Sequence, residues 1–63
     1  NINIEGKENG STLYIYDLNG QLIYNQKINK GINNINCSNF TCGMYIAVVK
    51  EKNYSYSSRF VKQ

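Results

Sequence analysis

Six residues of mostly apolar character, Met44-Tyr-Ile-Ala-Val-Val49, follow directly on a glycine, Gly43, and stop at the charged Lys50-Glu-Lys52. Six residues are under two helical turns, too few to hold a helix, while β-branched and aromatic types favour an extended chain. The run is therefore read as a central strand. Near-continuous apolarity calls for burial on both faces, or on one face plus a covered edge. The other segments alternate polar and apolar residues, as outer strands with one wet face do.

The approach to this strand narrows the topology further. Phe40, Gly43 and Tyr45 stand as an apolar anchor, two residues, a glycine, one residue and a tyrosine. This spacing suits a tyrosine corner, in which glycine makes the bend where the chain crosses between sheets and the tyrosine hydroxyl bonds back to the backbone just upstream. An ordinary turn beside a core tyrosine has the same pattern. Either way the expected architecture is a Greek-key sandwich.

Taken in order, Asn1 to Glu5 alternates, with Ile2 and Ile4 on one face, and Gly6-Lys-Glu-Asn-Gly10 is a polar turn. In Ser11 to Tyr16, Leu13 and Ile15 point one way and Tyr14 and Tyr16 the other. Asp17-Leu-Asn-Gly20 is a hairpin turn: the Asp side chain accepts hydrogen bonds at its start and Gly20 takes the left-handed conformation that closes it. A three-residue loop bulged at Gly20 would set Ile15 against Ile23 and Tyr14 against Tyr24, whereas a two-residue turn would set Ile15 against Tyr24. The like-with-like register is expected. Gln21 to Ile28 returns, Asn29-Lys-Gly31 turns, and Ile32 and Ile35 mark a short exposed strand leading to Cys37. Tyr54 to Lys62 is the last strand, with Phe60 its core anchor. The result is an all-β domain of five to seven short strands without helix.

Little in the chain can carry catalysis. It has 63 residues, no histidine, no tryptophan and four carboxylates, so the usual materials of acid, base and metal chemistry are scarce. A domain of this size buries only about 60% of its unfolded surface and leaves little room for a pocket. Cys37 and Cys42 cannot complete a tetrahedral metal site alone; they are either a short-loop disulfide or two separate thiols. Asn-x-Ser/Thr triplets, those at Asn9, Asn39 and Asn53 among them, are what an asparagine-rich chain generates by chance. The net charge of +3 comes from dispersed residues, Lys7, Lys27, Lys30, Lys50, Lys52, Arg59 and Lys62, with no basic run of the kind that tracks a nucleic acid. The alternating Tyr14, Tyr16, Tyr54 and Tyr56 suit an amphipathic strand better than a base-stacking platform. No apolar stretch reaches the roughly 18 residues of a membrane helix.

The order of these pieces resembles the type A C-terminal sorting domain of cargo proteins exported by the type IX secretion system of Bacteroidetes. The matching residues are Leu13, Ile15, Asp17 and Gly20, then Leu22 and Ile23, then Ile35, then Phe40, Gly43 and Tyr45, and finally Arg59-Phe60-Val61-Lys62. Phe40 stands where the family usually has leucine, the cysteines are uncommon, and the family's opening Asn-Pro and first strand have no counterpart here. The resemblance implies a small Ig-like antiparallel β-sandwich, residues 1–63 being a single sorting domain from the C-terminus of a larger secreted protein. It also implies a non-catalytic address label without cofactor or metal. Its partners would be an outer-membrane β-barrel shuttle, the translocon and a cell-surface sortase, with no nucleic acid and no membrane insertion. The cargo would pass through the periplasm and across the outer membrane to the cell surface or the medium.

Within that frame Arg59, Phe60, Val61 and Lys62 are the expected partner-binding residues, and Asp17, Gly20, Gly43 and Tyr45 the turns that fix the fold. The alternative is a generic Ig-like adhesin or carbohydrate-binding module, whose exposed tyrosines would stack on sugar rings.

Overall fold

The computed structural model describes residues 1–63 as six strands and no helix. They are β1 (Ile2–Gly6), β2 (Ser11–Tyr16), β3 (Leu22–Ile28), β4 (Gly31–Ile35), β5 (Gly43–Lys50) and β6 (Ser55–Lys62). All pairings are antiparallel: β1 with β4 in a two-stranded sheet, and β3-β2-β5-β6 in a four-stranded one. The chain changes sheet three times, from β1 to β2, β3 to β4 and β4 to β5, which brings β2 beside β5 across a long stretch of sequence. This is the expected small all-β sandwich.

Period-two alternation decides which side chains fill the space between the sheets. Leu13 and Ile15 of β2, Tyr45, Ala47 and Val49 of β5, Ile28, Ile35 and Cys37 form one buried cluster, with Ile2, Ile4, Tyr24, Phe40, Tyr56 and Phe60 packed against it. In β5 one face is buried, while Ile46 and Val48 on the other are only half-buried and Met44 is exposed. Both edges of β5 are covered by neighbouring strands, so the apolar run occupies the central place expected for it. Ile32 and Ile35 fall on opposite faces of β4: Ile35 is buried and Ile32 exposed.

The register of the first hairpin differs from the expected one. The loop has the predicted length, since Asp17 N–H donates to the Gln21 carbonyl at 3.0 Å, and Tyr16 lies opposite Leu22. An irregularity then intervenes and Ile15 pairs with Tyr24, Tyr14 with Asn25, rather than with Ile23 and Tyr24. Ile28 must point inward, and alternation then turns Gln26 and Tyr24 inward too. One extra residue, Ile23, restores this parity after the tight loop and is left exposed.

Close approach between the sheets constrains one position. A Cβ on Gly6 would overlap the Asn29 carbonyl oxygen, so a side chain there would push β1 away from the β3–β4 turn. That turn is held by Asn33, whose Oδ1 accepts from Asn29 N–H at 3.1 Å and whose amide donates to the Asn29 carbonyl at 2.8 Å.

Candidate functional site

The two glycine turns are built as their sequences require. Asp17 Oδ1 accepts from the N–H groups of Asn19 (2.9 Å) and Gln21 (3.0 Å), and Gly20 closes the loop at φ +82°. At the entrance to β5 Gly43 has φ +148°, and Tyr45, two residues on, donates its hydroxyl to the Thr41 carbonyl at 2.6 Å. That bond and the crossing from β4 to β5 identify a tyrosine corner. The Tyr45 ring is 5% exposed, so its hydroxyl needs an internal partner, and the bend supplies one.

Tyr45 also links the corner to the last strand. Ring centroids run from Tyr24 to Phe40 (5.9 Å), Phe40 to Tyr45 (5.3 Å) and Tyr45 to Phe60 (5.6 Å), an aromatic chain from β3 through the corner to β6. Such contacts contribute about 0.5–1.5 kcal/mol each beyond burial. The end of β6 is thus tied to the element that sets the fold.

The four terminal residues do not share one face. Phe60 lies opposite Tyr45 and Lys62 opposite Gly43, so both turn to the inner side, Phe60 against the core. Arg59 lies opposite Ile46 and Val61 opposite Met44, both on the outer side of the sheet. Val61 is exposed, and Lys62 Nζ donates to the Gln63 carbonyl at 3.3 Å. β6 pairs only with β5, so its other edge carries free backbone groups. Cys37 and Cys42 are free thiols here, Cys37 buried with its Sγ 3.7 Å from the Ile35 carbonyl and Cys42 exposed.

A polar cluster with no signature in the sequence joins the two sheets. Glu51, in the β5–β6 turn, accepts the buried Ser11 hydroxyl on Oε2 and the Lys7 N–H on Oε1 at 3.3 Å. The Tyr56 hydroxyl lies 3.2 Å from that same Oε1 and 2.7 Å from the Glu5 carbonyl on β1. The Ser11 hydroxyl, with the Lys7 N–H and Tyr56 adding to it, holds the Glu51 carboxyl below its ordinary 4.5 against the opposing effect of desolvation. Burial, then Glu51, raises Tyr56 above its ordinary 10.0. The cluster fastens the two sheets at the end opposite the corner. Its members are too far apart in sequence for any local motif to have marked them.

No group of three or more His, Cys, Asp or Glu side chains is placed to hold a metal ion. No helix is long and apolar enough to cross a membrane.

In comparison with known proteins, the model of the family described as "Secretion system C-terminal sorting domain" matches residues 1–63. No curated protein and no solved structure matches the chain.

Proposed function

The chain belongs to the C-terminal sorting domains of the type IX secretion system, and from that premise we propose that its last strand is what the export machinery reads. Membership makes the chain a secretion sorting signal and implies export across the outer membrane to the surface or the medium. Domains of this family are not catalytic. The finer reading is that an outer-membrane β-barrel shuttle takes up the cargo through this domain and passes it to the translocon, and that a cell-surface sortase then acts on it. Residues 1–63 serve as a single module in this role. Recognition is binding, with no bond made or broken by the domain.

The observation that carries the reading is the position of β6 at an open sheet edge, with Arg59 and Val61 outward and exposed Val61 next to Lys62. An open edge offers backbone groups to a partner strand and its side chains add specificity. Phe60 serves differently, anchoring the strand on Tyr45 so that its neighbours are presented in fixed positions.

The test is an export assay with residues 1–63 fused behind a signal peptide and a fluorescent cargo in a type IX-competent bacterium. Truncation at Ser58 removes the Phe60 ring from the core, so a folded variant is needed beside it. Arg59→Ser with Lys62→Ser keeps Phe60 in place. Export of the intact fusion and retention of both altered forms supports recognition at the last strand. Equal export of the double variant overturns it, and retention of the folded intact fusion overturns the sorting role and directs attention to glycan binding.

A further inference from the structure

We propose that the outer face of the four-stranded sheet is a docking surface for a partner protein whose contact patch is apolar at the centre and flanked by carboxylates. This rests on the sorting role above and extends the contact from the last strand to residues on β2, β3 and β5. Tyr14 lies opposite Val48, and Tyr16 lies between Leu22 and Ile46. Tyr14, Tyr16, Ile46 and Val48 stand on the two middle strands, with Leu22 beside them on β3, and the two-stranded sheet lies on the opposite face. Leu22 is exposed and the others only half-buried. The irregularity at Ile23 is what turns Leu22 to this side, next to Tyr16.

Charge identifies the occupant. Lys27 and Lys50 lie on either side of Thr12, and Arg59 lies beside Ile46, so three cations share the face. Lys50 Nζ is held 5.2 Å from the centre of the Tyr14 ring. None of the four carboxylates is on this side: Asp17 is used by its own loop, Glu51 bonds Ser11, Glu8 accepts the Lys52 N–H at 3.2 Å, and Glu5 is on β1. A surface with unopposed cations around an apolar centre attracts an acidic rim and excludes a basic one. A nucleic acid fits less well. Tyr14 and Tyr16 stack on each other, with centroids 6.5 Å apart, which takes up ring surface a base would use, and the cations are split between Lys27 and Lys50 beside Thr12 and Arg59 beside Ile46 rather than lined up along a phosphate backbone.

Size says what kind of contact this is. Four strands spaced about 4.8 Å apart and about six residues long give a face on the order of 400 Å², half of a standard partner surface of about 800 Å². Such an area suits a transient encounter, and a sorting signal has to be released after it is read. Electrostatic steering raises the rate of that encounter without holding the complex.

The experiment uses the same export assay and leaves the last strand untouched. Lys27→Glu with Lys50→Glu reverses charge on the face, and Lys7→Glu with Lys30→Glu makes the same change in net charge off it. Thermal unfolding of each purified variant checks folding. The expected result is an export loss of about tenfold or more for the face variant, with the control within about twofold of wild type. Val48→Thr, nearly isosteric, should lose about threefold as the apolar centre is weakened. Face and control variants exported alike overturn the inference, as does a Val48→Thr variant exported like wild type. Binding of a 25-nucleotide single-stranded DNA or of heparin at 150 mM salt, lost in the face variant, would assign the surface to a polyanion and also overturn it. Failure of the wild-type fusion to leave the cell removes the sorting role itself, and this inference with it.

Discussion

The two faces of the four-stranded sheet are made by the same strands and serve opposite ends. On the inner face Leu13 and Ile15 are wholly buried and Tyr45, Ala47 and Val49 nearly so. On the outer face their immediate sequence neighbours, Tyr14, Tyr16, Ile46 and Val48, remain half-open to water although they are also large and apolar. A two-stranded sheet is wide enough to cover only one side of a four-stranded one. Inner residues therefore hold the fold, and outer residues are free to meet something else. Apolar character by itself does not say which role a residue has; its parity in the strand does.

The sharpest way to break this comparison is to cut into the inner face. Leu13→Ala should cost about 2–5 kcal/mol, measured as a shift in the urea midpoint, because the wholly buried side chain leaves a cavity. In a domain of this size that is most or all of the stability. An effect under 1 kcal/mol would mean that the sheets are not packed as described.

Next come the corner and the sheet-to-sheet cluster. Gly43→Ala forces a side chain onto φ +148°, and a loss of about 1–3 kcal/mol is expected. Tyr45→Phe leaves the ring in place but removes the bond to the Thr41 carbonyl, and the expected cost is about 1 kcal/mol. Glu51 gives a pH signature. Its carboxyl is held below the ordinary 4.5 in the folded state, so its contribution is present above that pH and is lost as pH falls through the folded value. The stability difference between wild type and Glu51→Gln should therefore be clear at pH 7 and shrink at pH 3. Tyr56 works in the other direction: raised from 10.0, it contributes below that pH, and the contribution is lost as pH rises through the folded value.

The smallest expected change in stability is on the outer face. Val48→Thr should alter the unfolding free energy by no more than about 0.5–1 kcal/mol, since the side chain is only half-buried. If that substitution unfolds the domain, the face is structural and not a surface held open for a partner.

Much of this was legible beforehand because it is local. Strand positions follow from alternation, the Asp17–Gly20 loop from an acceptor and a glycine three residues apart, and the corner from Gly43 and Tyr45. Each depends on one stretch of backbone and needs no knowledge of distant residues. Along the chain Arg59 to Lys62 form one block, yet the sheet sends Phe60 and Lys62 one way and Arg59 and Val61 the other. Alternation could have shown that split in advance. It could not have shown that Lys27, Lys50 and Arg59 share a face, because their grouping depends on which strands become neighbours and in what register.

What the sequence determined alone is the set of strands, their turns and the family, since an ordered series of short motifs is written directly in the chain. The tertiary structure decided the rest. It placed an extra residue at Ile23 because Ile28, Gln26 and Tyr24 had to keep one parity. It joined Glu5, Ser11, Glu51 and Tyr56 across the two sheets, and it left one face of the larger sheet uncovered. Each of these is a choice between pairings of remote segments, settled by which arrangement buries the most apolar surface with every buried polar group bonded.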